Sequence, residues 1–114
     1  ERVLTRMRAR LKRDPAAVLH DFRVLCGTDA PLPGTPDVDA LDRGLEALQT
    51  LDCRPQAADW KDRLHWMTGM DDPFDAAKAG FATPGERVEG GHLLPLTHSG
   101  LCADFVRRWL DDPR

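Results

Sequence analysis

The sequence has no tyrosine, no isoleucine and no asparagine, and it carries only three lysines against thirteen arginines. The scarce types are those written with AT-rich codons, so a GC-rich, bacterial source is expected. Cysteine is also sparse. Cys26, Cys53 and Cys102 are odd in number, widely spaced and form no CxxC pair. That excludes a disulfide framework and points to a reducing, cytoplasmic compartment. Long apolar runs are missing, and short ones such as Leu93-Leu94 stop at once, here at Pro95. No segment therefore has the length needed to cross a bilayer. The basic N-terminus lacks the apolar stretch of a signal peptide. The chain opens on Glu1 rather than methionine, so it is expected to be a piece of a longer protein.

Several catalytic signatures are absent as well. No Walker A, GxGxxG, GxSxG or HExxH sequence occurs. "DVDALD", residues 37–42, is acidic, but it lacks the glycine and closing glutamate of a calcium loop. An enzyme of a common motif type is disfavoured. No catalytic residue, cofactor or metal is assigned.

What remains is an ordinary globular composition. Of 114 residues, 41% are hydrophobic and 31% charged, which suits a single helical domain over residues 1–114 with one modest core. The net charge of −3 is unevenly placed, with +5 in residues 1–13 and −8 in the remainder.

Periodicity predicts helices along most of the chain. In residues 2–13, Leu4, Met7 and Leu11 make an apolar stripe, and Arg2, Arg6, Arg10 and Arg13 make a basic one. This basic helix is expected to serve as a link to an upstream region. Asp14-Pro15 breaks it and starts a second helix, Pro15–Cys26, with Gly27 as its stop. A Pro/Gly-rich loop follows, and Thr35-Pro36-Asp37 opens a third helix, Pro36–Leu51. There Val38, Leu41, Leu45 and Leu48 form a seam for another helix.

A fourth helix is predicted over Pro55–Thr68, and a short fifth from Asp72-Pro73 to Gly80. "RVEGGHLL", residues 87–94, reads as a hairpin around Gly90-Gly91. The last helix runs from about Gly100 to Asp111. The expected fold is mostly α: a compact bundle of five or six helices with a short β-hairpin or extended loop before the last helix. In helix count and size it resembles death-fold adaptor bundles, a likeness of architecture alone. From these helices, Leu45, Leu48, Leu64, Phe105 and Trp109 are expected to share one core.

The residues with the most chemistry lie in "GGHLLPLTHSGLCADF", residues 90–105. His92, His98 and Cys102 have metal-capable side chains, but their spacing matches no common zinc signature. Cys102 in the first turn of the last helix, with His98 nearby, also has the ingredients of a nucleophile. A small buried residue among Leu101, Phe105, Val106 and Trp109 is the simpler reading. Acidic pairs such as Asp71-Asp72 precede prolines and read as caps and helix stops.

The leading expectation is a protein–protein interaction module, adaptor or regulatory in kind, within a larger bacterial signalling or defence protein. Its partner would be another protein or a neighbouring domain of the same chain. The contact residues expected are Trp66, Arg63 and Met70, which would share a side of the fourth helix, and Arg6, Arg10 and Arg13 of the first. The alternative for Trp66 is that the short fifth helix, with Phe74 and Phe81, folds back and covers it within the chain. A small nucleic-acid-binding or regulatory domain using the basic first helix is the alternative. An enzyme or zinc site around His98 and Cys102 is the weaker one.

Overall fold

The computed structural model describes residues 2–111, and these fall into two compact units that divide between Cys53 and Arg54. The described residues are mostly helical, with seven α-helices and one two-stranded sheet. None of those helices is long and apolar enough to cross a membrane.

The first unit is three helices: α1 (Arg2–Leu11), α2 (Pro15–Cys26) and α3 (Val38–Thr50). Asp14 separates α1 from α2 as the reading of its capping chemistry predicts. Its Oδ1 accepts from the Ala17 N–H at 3.1 Å, and Pro15 takes the first helical position. Gly27 closes α2 in a left-handed conformation, φ 105°. At α3 the cap is Asp37, not Thr35, with Oδ1 accepting from the Ala40 N–H at 2.9 Å. α1 packs against both α2 and α3, around buried Leu11, Val18 and Cys26.

Polar contacts reinforce that packing. Arg8 of α1 clamps Asp42 of α3 with two hydrogen bonds, Nε to Oδ1 at 2.8 Å and Nη2 to Oδ2 at 3.1 Å. Gln49 extends the contact, accepting from Arg8 Nη1 and donating to Thr5 Oγ1. The seam of α3 is shorter than its sequence suggests. Leu41 and Leu45 are half-buried, but Leu48 is 70% exposed. Leu48, expected in the core, is therefore not a core residue.

The second unit begins with α4 (Arg54–Trp60) and a 3-10 turn, Lys61–Arg63. The predicted helix to Thr68 ends early. Lys61 takes a left-handed φ of 49°, which an α-helix of L-residues does not continue through. The chain then extends into β1 (Met67–Gly69). After α5 (Asp75–Ala79), β2 (Glu86–Val88) pairs with β1 in parallel, with Met67 opposite Glu86, Thr68 opposite Arg87 and Gly69 opposite Val88. The expected hairpin over residues 87–94 is thus absent. Its first strand pairs with an earlier segment, because parallel strands meet through a crossover rather than a tight turn. α6 (Leu94–Thr97) and α7 (Ser99–Leu110) complete the unit.

Trp66, just before β1, organises the crossover. It is only 8% exposed, and its Nε1 donates to the Thr83 carbonyl at 2.8 Å. Gly80 and Gly85 lie so close that a Cβ at either would strike the indole. Arg87 lies over the ring at 4.9 Å and donates to the Ala79 carbonyl at 2.7 Å, which satisfies an orphan acceptor at the end of α5.

Candidate functional site

The site starts from a close approach of two backbone segments. Beyond β1 and β2 the chains continue side by side: the Met70 N–H donates to Val88 O at 2.8 Å, and the Asp71 N–H to Gly90 O at 2.9 Å. A side chain at Gly69 would collide with the carbonyls of Gly90 and Gly91. Gly90 itself has φ 136°, a conformation few other residues adopt. This contact brings Asp72, at the end of one segment, to His92, at the end of the other.

Asp72 is buried, with 4% of its side chain exposed, and its Oδ2 lies 2.7 Å from His92 Nδ1. Its Oδ1 accepts from the Phe74 N–H at 2.8 Å, so each carboxylate oxygen has a partner, as a buried acid requires. Phe74 also meets the His92 ring edge-on, with centroids 4.8 Å apart. The imidazole is thereby fixed on two sides. A carboxylate only accepts, so Nδ1 donates to it.

Both residues line an open cleft of about 450 Å³. Its walls are mainly apolar, from Trp66, Met67, Phe81, Leu94, Phe105 and Val106, and Cys102 also reaches it. His65 lines the cleft with its ring stacked on Trp109 at 3.5 Å. Thr68, another lining residue, donates its hydroxyl to Ala77 O at 3.0 Å.

The residues singled out by sequence are distributed differently. His92 and Cys102 line the cleft, but His98 does not. His98 Nδ1 is instead 2.8 Å from Thr97 Oγ1, and its ring packs against Gly90. The thiol–imidazole pair proposed from residues 98 and 102 is therefore not assembled at the cleft. Among the described residues no group of three His, Cys, Asp or Glu side chains is placed to hold a metal ion. Cys26 is buried and Cys53 exposed.

Trp66 is no surface residue. The reasoning that put it beside Arg63 and Met70 needed one continuous helix, and the chain leaves helical geometry at residue 64. Arg63 lies over the Trp60 ring at 5.1 Å, and Met70 is exposed. Arg6, Arg10 and Arg13 are all exposed on or just beyond α1, with Arg10 bound to Asp21 at 2.8 Å.

Asp72 was missed as a site residue because Asp-Asp-Pro has a sufficient local explanation as a turn. Its partner lies twenty positions away. The double glycine before His92 was the one available signal, since Gly-Gly permits a close backbone contact as well as a hairpin turn. The chain matches no protein-family model, no curated protein and no solved structure.

Proposed function

We propose that this chain is a protein–protein interaction module, adaptor or regulatory in kind, serving a larger bacterial signalling or defence protein and doing no chemistry of its own. The observation that supports this reading is the unusually wide apolar arc of α7. At about 100° per residue, Leu101, Phe105, Trp109, Cys102, Val106 and Leu110 span about 180° of the helix. A helix that only packs on its own core needs roughly 100°. The middle of the arc is covered, with Cys102, Phe105 and Trp109 half-buried. Its flank is open: Val106 is 52% and Leu110 77% exposed. Exposed apolar area of this kind marks a contact surface.

A photo-crosslinking residue at Leu110, in the protein expressed in a bacterial host of its own type, tests the reading. A discrete adduct with another protein or another domain is expected, and none from a crosslinker at Val3 on α1. An adduct confined to residues 2–53 of the same chain would overturn it. So would no adduct at all.

One observation favours nucleic acid as a second reading. Arg2, Arg6 and Arg13 have no ionic partner among the described residues, whereas Arg8 and Arg10 are engaged by Asp42 and Asp21. A gel shift that weakens steeply with salt and is lost on replacing Arg6 and Arg13 would support it.

A further inference from the structure

We propose that the cleft beside Asp72 and His92 is a binding site for a neutral, apolar, aromatic group that carries one N–H or O–H donor. The cleft shares Val106 with the exposed flank of α7, but the proposal holds whether or not that flank binds a partner. A volume of about 450 Å³ is in the range of sites for small ligands. The walls select an apolar body, since Trp66, Phe81, Leu94, Phe105 and Val106 present carbon to it.

The polar part of the recognition comes from His92. Asp72 takes the Nδ1 proton in a hydrogen bond of 2.7 Å, so in the neutral ring Nε2 is an acceptor, and it has no partner among the described residues. A donor on the ligand satisfies it, and a ligand without one leaves it dry and unpaired. An anion is disfavoured because the buried Asp72 carboxylate lies directly behind the imidazole. Asp72 is a positioning residue here. It sets which hydrogen-bonding sense the ring offers, as the partners of metal-binding histidines do.

Indole and N-methylindole differ in the single proton at issue. Each is titrated into the protein while the backbone amide signals of Gly69, Gly91, Leu94 and Val106 are followed by NMR. Indole is expected to give saturable shifts, and N-methylindole to bind roughly ten-fold or more weakly. A Gly-Trp-Gly peptide is run beside them. Tighter binding of the peptide assigns the donor to a partner's side chain, and tighter binding of indole assigns it to a free molecule. Either supports the donor chemistry.

In Asp72→Asn the amide donates to Nδ1 and moves the ring proton to Nε2, so the preference should invert, with quinoline binding more tightly than indole. Equal binding of indole and N-methylindole, absence of saturable shifts, or an unchanged preference in folded Asp72→Asn would overturn the proposal. If that variant does not fold, the nitrogen-15 spectrum of the unsubstituted protein decides: a His92 carrying a proton on Nε2, as the other neutral tautomer or as imidazolium, would equally overturn it.

Discussion

Arg8 and Asp42 face each other across α1 and α3 as a two-pronged pair, two guanidinium N–H groups on two carboxylate oxygens, at 2.8 and 3.1 Å. That geometry is specific to arginine, because lysine presents a point charge rather than a planar fork. Arg8→Lys is therefore expected to keep the charge yet lower the urea midpoint of the first unit's helices. A midpoint equal to that of the unsubstituted protein would show that charge alone suffices.

The same pair fixes a pH dependence. The hydrogen bond from Arg8, aided by its charge and that of Lys12, holds the Asp42 carboxyl below its ordinary value despite partial burial. The unfolded chain binds the proton more readily, so the pair's contribution is complete above the ordinary carboxylate range. It is lost as pH falls through the depressed value. Asp42→Asn should destabilise at pH 7, and the gap to the unsubstituted protein should narrow at pH 3. A gap of the same size at both would assign the effect to shape rather than charge.

Two glycines should respond oppositely to alanine. At Gly85 the added methyl meets the buried Trp66 indole, and overpacking of this kind costs about 1–3 kcal/mol. Gly44, inside α3, has nothing within 4 Å of that position. There alanine should stabilise by about 0.5–1 kcal/mol. Thermal melts of the two variants check both signs.

Among leucines, Leu11 is almost wholly buried and Leu48 mostly exposed. Leu11→Ala should cost about 2–5 kcal/mol. Leu48→Ala should stay within about 0.5 kcal/mol. Urea titrations giving equal losses would contradict the packing of the first unit.

Metal removal should leave the fold intact. No group of three ligating side chains is assembled among the described residues, and a structural zinc site would supply folding free energy outright. The helical circular dichroism signal is expected to survive EDTA unchanged. Unfolding on chelation, reversed by zinc, would contradict this.

The parts of the fold legible in sequence are those with local causes. α2 carries the cap read for it, Asp14, and α7 its own apolar period, while α3 follows the Thr35-Pro36-Asp37 signal with Asp37 rather than Thr35 as its cap. β1 was not legible, because Met67 continues the helical spacing set by Trp60 and Leu64. What draws residues 67–69 out of helix is pairing with 86–88, a partner that three-residue strands do not announce by alternation. Trp66 likewise gave a false surface signal, since its cover is loop backbone and the two glycines Gly80 and Gly85. For the site, His92 was visible as a candidate, but its link to Asp72 depends on that same nonlocal pairing.

The parallel register of β1 and β2 also sets an order of events during synthesis. A hairpin can zip as soon as its turn is made, whereas these strands must first close residues 70–85 into a loop, at a cost in chain entropy. The cleft needs more still, because its lining runs from His65 to Val106. On the ribosome, residues 65–69 therefore emerge well before the rest of their enclosure, with Trp66 still uncovered. A stalled nascent chain ending before Gly80 would present that indole to chaperones, and the cleft would come into being only once Val106 had cleared the exit tunnel.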